Sequence, residues 1–245
     1  MRESFEAVRP NPPKADLRQA HDSIAPDFLH PSHPLRQSIL TWLKSHVPET
    51  RIRHILRVEQ LAIALAQHHH LEVEKAAQAA LMHDLAKFFK PQRLLQMVAD
   101  EGLTLDPVDE ANPHLLHAAA GAIVARDEFG IQDAEVLHAI RDHTLGRPGM
   151  GRLSCVVYLA DGLEPGRGNT PELVALRQIS HRDLDEAIWR ASDHSLKHLL
   201  NAHHLIHPRT VLTRNWFMQA VTHKPPKKHP PDRTSPASAH CNPPP

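Results

Sequence analysis

Cysteine is scarce in this 245-residue sequence, in which Cys155 and Cys241 are the only two. Two cysteines exclude a scaffold held by several disulfides and a zinc module built on cysteine ligands. The first residues, MRESFEAVRPNPPK, also lack the apolar stretch of a secretory signal peptide. Both absences fit a protein of the reducing cytoplasm, and a cytoplasmic location is therefore the one we expect.

An excess of charge of one sign is missing as well. The 28 basic residues balance 28 acidic residues, so the chain has no overall attraction to nucleic acid or to an anionic membrane. The sequence also has no apolar run near the roughly 20 residues that a membrane-spanning helix needs. We therefore expect neither a nucleic acid nor a membrane as a partner.

Residues that favour β-strands are few, with one Tyr, six Phe and few runs of Val. No segment alternates convincingly between apolar and polar residues. Apolar residues instead recur at helical spacing along most of the chain, as Ile55, Val58, Leu61 and Leu65 do. This pattern predicts an all-α fold, a helical bundle.

Three regions follow from the distribution of proline and of helical periodicity. Residues 1–33 are predicted to be a flexible, proline-rich lead, and residues 223–245 are predicted to be a disordered tail rich in Pro, Lys and His. Residues 34–222 are predicted to form one helical domain. Its predicted helices cover residues 35–46, 49–69, 73–88, a segment that opens at Pro91, 114–129, 133–143, 151–163, 171–179, 182–201 and 208–221.

Histidine is abundant, with 22 in the chain, and most are predicted to be ordinary surface or helix-end residues. In the segment ALMHDLAKFF, however, His83, Asp84 and Lys87 stand beside apolar residues of an inward helix face. Burial of such groups is costly unless they are paired, so they either pair structurally or hold a ligand. The His-Asp pair alone is a weak motif, because a second one occurs at His21 and Asp22.

Four more polar residues stand among apolar or small residues of predicted helices. His54 precedes Val58 by one turn, His117 precedes a run of small residues, His143 ends AEVLHAIRDH, and Asp161 ends LSCVVYLAD. Each alone is more readily explained as a satisfied structural group, but with the His-Asp pair they make six in one domain. Imidazole and carboxylate groups suit iron, zinc and manganese, so the pattern predicts a metal centre.

The order of these residues resembles that of a known family. His54, the pair His83-Asp84 and Asp161 follow one another as in HD-domain metal phosphohydrolases. Four stretches narrow the resemblance to the YqeK family, the symmetrical bis(5'-nucleosyl)-tetraphosphatases of bacteria: RIRHILRV (51–58), HTLGRPGM (143–150), YLADGLEPGR (158–167) and LIHP (205–208). The resemblance covers about residues 35–220 and implies an HD-domain helical bundle.

The resemblance also implies roles for particular residues. It places a metal ion on His54, His83, Asp84 and Asp161, with iron (Fe2+ or Fe3+) expected and Mn, Zn or Co as alternatives. The expected catalytic residues are Asp84, Asp161, His117 and His143, and either aspartate could orient the attacking water. His117 and His143 either bind a second metal ion or face the phosphates, and we favour the phosphate role. A tetraphosphate carries several negative charges and needs cationic groups along its length. The expected substrate-binding residues are Arg51, His83, Lys87, His117, His143, Thr144, Arg167 and His207.

The expected activity is hydrolysis of diadenosine tetraphosphate into two ADP. Residue chemistry alone reaches a metal-dependent phosphohydrolase, whereas the dinucleoside polyphosphate substrate and the symmetrical cut are implied by the resemblance. The alternatives are an HD-domain phosphohydrolase of a nucleoside monophosphate or a guanosine alarmone, a non-catalytic nucleotide-sensing adaptor, and a helical scaffold with structural histidines. The sequence leaves the oligomeric state open, with a homodimer as one alternative.

Overall fold

The computed structural model describes residues 27–223, which form α-helices, short 3-10 helices and connecting turns, with no β-strand among them. The all-α prediction is therefore confirmed. The first 26 residues of the predicted lead and the predicted tail from residue 224 lie outside the described part. The α-helices are α1 (Pro34–His46), α2 (Glu49–His68), α3 (Val73–Met82), α4 (Pro91–Asp100), α5 (Pro107–Ala111), α6 (His117–Phe129), α7 (Ala134–Asp142), α8 (Arg152–Leu163), α9 (Pro171–Arg182), α10 (Leu184–Asn201) and α11 (Pro208–Thr222).

Helix α8 lies at the centre of the bundle. Its sequence, RLSCVVYLADGL, is apolar on nearly all sides, and every residue from Leu153 to Ala160 is buried. A helix that is apolar all round has to be enclosed, and α2, α3, α7 and α10 pack around this one. The arrangement carries Asp161, near the end of α8, toward the interior of the domain. No helix within residues 27–223 is long and apolar enough to cross a membrane.

The third helix is predicted to continue to Phe88, and this predicted end is wrong, because α3 ends at Met82. The ring Nδ1 of His83 lies 2.7 Å from the carbonyl oxygen of Ala80. In a continuing helix that oxygen would accept the amide of Asp84, so the side chain competes with the backbone. The residues that follow form turns with backbone bonds between residues three apart. The His-Asp pair thus sits in a turn and not on a helix face.

The sequence predicts helix starts that carry a capping residue or a proline, but it misses short helices. Asp133 and Asp183 cap α7 and α10 through their side chains, and Pro171 occupies the first turn of α9, as their positions suggest. The short helices at 107–111 and 165–167 are not predicted, because too few residues carry a period. The predicted helix 114–129 is divided in the structure into a 3-10 helix at 113–116 and α6.

The packed part of the chain begins before residue 34. Phe28 is 2% exposed and belongs to the same apolar core as α1 and α2, although it falls within the predicted lead. The guanidinium of Arg36 lies 5.7 Å from the Phe28 ring centroid, over its face. Residues 27–33 therefore contribute a buried side chain to the domain. The boundaries of the lead and the tail stay predictions.

Candidate active site

Six polar residues singled out in the sequence meet at one place in the structure. They come from four helices and the turns between them: His54 from α2, His83 and Asp84 from the turn after α3, His117 from the start of α6, His143 from the end of α7 and Asp161 from α8. All are buried except Asp161, whose side chain is 21% exposed. We call these six residues the histidine–aspartate cluster.

Asp84 lies at the centre of this cluster and faces four rings. Its Oδ2 is 3.3 Å from Nε2 of His83 and 4.0 Å from Nε2 of His54. Its Oδ1 is 3.4 Å from Nε2 of His117 and 3.9 Å from Nε2 of His143. All four rings therefore present the same nitrogen to one carboxylate.

Two of the ring nitrogens have no hydrogen-bond partner, which tests whether the cluster suits a metal ion. Nε2 of His54 and Nε2 of His83 are buried and unpartnered, at 3.0 and 3.9 Å from Oδ1 of Asp161. Buried polar atoms without a partner are rare in proteins. The potential ligand atoms of His54, His83 and Asp161 lie within 4.8 Å of one another, as do those of His83, Asp84 and His143. Nitrogen and carboxylate donors at this spacing fit a divalent metal ion.

A hydrogen bond to a backbone carbonyl orients each of three histidine rings. Nδ1 of His83, His117 and His143 lies 2.7, 2.5 and 2.7 Å, respectively, from the carbonyl oxygen three residues earlier. A carbonyl can only accept, so Nδ1 carries the proton and the Nε2 lone pair of the neutral ring points into the cluster. Metal-binding histidines are commonly oriented by such a bond from their other nitrogen.

The fourth histidine is oriented by Glu164, a residue that sequence reasoning missed. Oε1 of Glu164 accepts a hydrogen bond from Nδ1 of His54 at 2.9 Å, and its Oε2 accepts one from Nε of Arg57 at 2.6 Å. Burial opposes ionisation of this carboxyl, but the bonds from Arg57 and His54 lower the pKa of Glu164 to about 2. The ionised carboxylate keeps the His54 proton on Nδ1. The signal was present in the stretch YLADGLEPGR, which contains one further acidic side chain.

Both aspartates of the cluster are held in the ionised state. Burial opposes ionisation of Asp84 and Asp161, yet neighbouring histidines in their protonated form hold the pKa of Asp84 well below its usual range and that of Asp161 below it. With the rings neutral, a metal ion on the same nitrogens would supply the positive charge instead. Arg51 donates from Nη1 to Oδ2 of Asp84 at 3.1 Å, and Arg167 donates from Nη2 to Oδ1 of Asp161 at 2.6 Å. Two predicted phosphate-binding arginines thus stand on either side of the two carboxylates.

His117 and His143 face each other beside two predicted substrate-binding residues. Their Nε2 atoms are 3.1 Å apart, so two lone pairs would repel unless a donor or a cation lies between them. Nζ of Lys87 is 3.2 Å from Nε2 of His117, and Oγ1 of Thr144 is 3.2 and 3.0 Å from the two ring nitrogens. Burial lowers the pKa of Lys87 and, with the nearby rings, lowers that of His143 to about 3. A neutral His143 accepts at Nε2, so in this state it cannot donate to a phosphate oxygen.

His207 is not brought to the cluster. Its Nδ1 accepts a hydrogen bond from the amide of Arg209 at 3.0 Å, which caps the start of α11. Its Nε2 lies 3.4 Å from Oδ2 of Asp109. Both ring nitrogens are therefore engaged by residues outside the cluster. The substrate-binding role of His207 stays a prediction that no contact in the described part of the chain supports.

A cavity of about 510 Å³ opens beside Asp161. This volume lies within the range of about 300–1,000 Å³ that small-molecule sites occupy. Its walls are mainly apolar, with polar groups concentrated on α10, and are formed by Leu115, Thr144, Leu145, Tyr158, Asp161, Gly162, Arg167, Leu173, His194, Ser195, His198, Leu199 and Thr210. His194 and His198 are among the histidines predicted to be surface residues, although their four-residue spacing places them on one face of a helix.

Known proteins similar to this chain share most of its length. A family model described as HD domain matches residues 51–166. The symmetrical bis(5'-nucleosyl)-tetraphosphatase of Bacillus subtilis is 36% identical over 183 residues, which are 75% of this chain and 97% of that protein. The protein of the same name from Staphylococcus aureus is 30% identical over 176 residues, which are 71% and 90% of the two chains. The crystal structure of a predicted HD superfamily hydrolase involved in NAD metabolism from Clostridium acetobutylicum matches with a TM-score of 0.72 and 34% identity, over 76% of this chain and 97% of that one.

Proposed function

The chain belongs to the HD-domain family of symmetrical bis(5'-nucleosyl)-tetraphosphatases, and on that premise we propose that it hydrolyses diadenosine tetraphosphate into two ADP. The observation that carries the proposal is the pair of unpartnered Nε2 atoms on His54 and His83 beside two ionised aspartates. Such a donor set suits a metal ion, and metal-assisted hydrolysis is the chemistry by which it would carry out the activity in the relatives' name.

The metal ligands of this proposal are His54, His83, Asp84 and Asp161. Iron, as Fe2+ or Fe3+, is the metal we propose, as the family resemblance implies. The nitrogen and carboxylate donors suit it, and they also suit the alternatives manganese, zinc and cobalt. When bound, such an ion polarises a phosphoryl oxygen and makes water more acidic. Elemental analysis of protein purified without added metal identifies the ion.

The remaining chemistry falls to side chains between the cluster and the cavity. Asp161 is the one carboxylate of the cluster that also lines the cavity, so we assign to it the orientation of the attacking water. Arg51 and Arg167 are partly exposed beside the two aspartates, where each can also donate to a phosphate oxygen. Lys87 and Thr144 supply an ammonium and a hydroxyl on the opposite side of Asp84.

His117 and His143 act on Lys87 and Thr144 in this proposal. The Nε2 lone pair of His117 accepts from the Lys87 ammonium, which keeps two further N–H donors for a phosphate, and that of His143 accepts the single hydroxyl proton of Thr144. The roles predicted from the sequence, direct contact with a phosphate or binding of a second metal ion, remain alternatives for this pair. The first needs a protonated ring, which burial disfavours at His143.

One nucleoside of the substrate is assigned to the 510 Å³ cavity. Tyr158, Leu173 and Leu199 offer an apolar wall to the base, and Ser195 and His198 offer polar atoms to its edge or to the ribose. The phosphate chain then leads from this cavity past Asp161 to the cluster. The proposed setting is the cytoplasm of a bacterium, since the relatives come from bacteria and the sequence predicts a cytoplasmic location. Sedimentation of the purified chain tests whether it forms a homodimer, which the sequence leaves open.

A product assay tests the proposed activity. The full chain, purified anaerobically with Fe2+, is incubated with diadenosine tetraphosphate, with and without a chelator, and the nucleotides are separated. The proposal expects ADP as the sole product and its loss on chelation. ATP together with AMP would contradict the symmetrical cut. Turnover of GMP or of a guanosine alarmone, but not of this substrate, would favour the related phosphohydrolases, and tight binding without turnover would favour the adaptor.

A further inference from the structure

A second cavity, of about 130 Å³, lies outside the histidine–aspartate cluster, and two arginines line it. Arg141 comes from the last turn of α7 and Arg209 from the first turn of α11. Thr104 and Asp109 are the other polar side chains in its wall, and the rest of the wall is apolar. The two helices thus bring two guanidinium groups to one small, largely apolar space.

Neither arginine has a partner among the described residues. The side chains of Arg141 and Arg209 make no hydrogen bond and no ion pair within residues 27–223, and the Nε atom of each is buried. Burial lowers the pKa of Arg209, the charges of Asp142 and Asp109 oppose this shift, and the charge of Arg141 adds to it. Both side chains are partly exposed, but a guanidinium whose Nε is withdrawn from water without a hydrogen-bond partner still carries a cost. An anion bound between the two guanidinium groups would lower this cost.

The acidic groups near these arginines are already engaged. Oδ2 of Asp142 accepts from Nε of Arg147 at 3.1 Å and from Oγ of Ser154 at 2.9 Å. Oδ2 of Asp109 accepts the amide of Asp106 at 3.1 Å and lies 3.4 Å from a ring nitrogen of His207. Asp109 is the one carboxylate in the cavity wall, against two guanidinium groups. The cavity therefore has an excess of positive charge.

We propose that this cavity is a binding site for a phosphate group, separate from the metal site. The fork of N–H donors on a guanidinium matches the oxygens of a phosphate, and two arginines suit its double charge. About 130 Å³ accommodates one such group, since a water molecule occupies roughly 30 Å³ in the liquid, but it is far smaller than a site for a whole nucleotide. The ligand is thus free phosphate or the terminal phosphate of a nucleotide whose remainder lies outside.

The position of the cavity relates it to the proposed active site without making it part of that site. Leu115 lines both this cavity and the 510 Å³ cavity, so its side chain forms part of the wall between them. The same short segment leads directly to His117, and Arg141 precedes His143 by two residues. An anion bound here would touch elements that also position the cluster. The site itself does not depend on the activity proposed above, because it is defined by the unpaired arginines.

Binding and melting measurements on the metal-loaded full chain test this site. Inorganic phosphate is titrated calorimetrically into wild type, Arg209→Gln, Arg141→Gln and Arg209→Lys, with Arg182→Gln, an exposed arginine of α9, as the matched control. We expect at least about tenfold weaker phosphate binding in both glutamine variants, the effect of losing one charge-assisted hydrogen bond. The lysine variant should retain part of the affinity, and the control should match wild type.

Melting temperature separates a binding role from a structural one. Without phosphate, Arg209→Gln should melt at or above the wild-type temperature, because a charged group whose Nε is buried without a partner has been removed. With phosphate, wild type should gain stability and the variant should not. A lower melting temperature of Arg209→Gln at every phosphate concentration would mean that the arginine is structural and would overturn the proposal.

Comparison of inorganic phosphate with nucleotides as ligands distinguishes the source of the phosphate group. Weaker binding of inorganic phosphate in the glutamine variants, with an unchanged KM for diadenosine tetraphosphate, identifies free phosphate as the ligand. Weaker binding of ADP or a raised KM in these variants, without calorimetric binding of inorganic phosphate to wild type, identifies a nucleotide phosphate. Equal binding of all three ligands to wild type and to both glutamine variants would overturn the site. Since neither arginine belongs to the metal cluster, this failure would leave the proposed hydrolysis standing.

Discussion

Replacement of Glu164 by Gln tests whether a carboxylate outside the cluster sets the state of His54. Oε1 of Glu164 accepts hydrogen bonds from Nδ1 of His54 and Nη2 of Arg57. Its Oε2 accepts hydrogen bonds from Nε of Arg57 and from the amide of Gly166. A glutamine amide has one oxygen and one NH2 group. Whichever way it turns, its NH2 group therefore faces two donors.

The two orientations of the amide have different costs. With the NH2 group toward His54, the ring relieves the clash by moving its proton from Nδ1 to Nε2, and the lone pair that faces Asp161 is lost. With the NH2 group toward Arg57, a charge-assisted pair is broken instead. Loss of such an orienting residue typically weakens metal binding about 10–100-fold. Losing one charge-assisted bond costs about 1.5–3 kcal/mol, which for a chain of this size is a fall in Tm of roughly 3–12 °C.

The assay is competition for metal between the protein and a chromophoric chelator, with Tm measured on the same samples. Glu128→Gln is the matched control, since Glu128 is exposed on α6 and makes no hydrogen bond or ion pair in the described part of the chain. Glu164→Ala should weaken metal binding to a similar degree, because it too removes the acceptor from His54. Metal affinity of Glu164→Gln within twofold of wild type would refute the argument that Glu164 fixes the ring.

Three other perturbations test separate parts of the structure. Asp84→Ala should abolish metal binding and turnover, as seen by elemental analysis and the ADP assay, because every ring of the cluster faces this carboxylate; retained activity without metal would contradict the site. Gly146→Ala should destabilise the fold by about 2–4 kcal/mol in denaturant unfolding, because φ is +61° and a Cβ would lie 2.6 Å from a threonine methyl on α11. Gly162→Ala, within α8 and with open space around it, is the control and should leave stability unchanged or slightly raised. Burial raises the pKa of Cys155 to about 12, so in a Cys241→Ser background alkylation at pH 8 should be at least about a hundredfold slower in the folded than in the unfolded protein, and a rapid reaction of the folded form would show that α8 is not enclosed.

Much of the cluster could be predicted from the sequence, because its residues interrupt apolar patterns. His54, His83, Asp84 and Asp161 stand where the helical period calls for apolar residues, and a polar group at such a position needs a partner. The periods also predict α2 and α8, from which His54 and Asp161 come, and the helix α3 that leads to His83 and Asp84. What periodicity could not predict is the end of α3 at Met82, where a side chain displaces the backbone from its own hydrogen bond.

Residues that act through contacts between distant segments were beyond the reach of sequence patterns. Glu164 looks like any acidic residue in a turn until α2 brings His54 and Arg57 to it across more than 100 residues. His207 is predicted to bind substrate from its motif, but its ring contacts Asp109 and the amide of Arg209 instead of the cluster. Both outcomes depend on which helices pack together, and a local period carries no such information.

The sequence by itself determined the class of the fold and the chemistry available to the protein, because helical periods and buried polar residue types are local properties. Only the tertiary structure decided how that chemistry is arranged. It aimed four Nε2 lone pairs at Asp84, paired Glu164 with His54, and left Arg141 and Arg209 facing one cavity without a partner among the described residues. The physical reason is that proton positions, pairing and burial are set by neighbours in space, and those neighbours come from helices far apart along the chain.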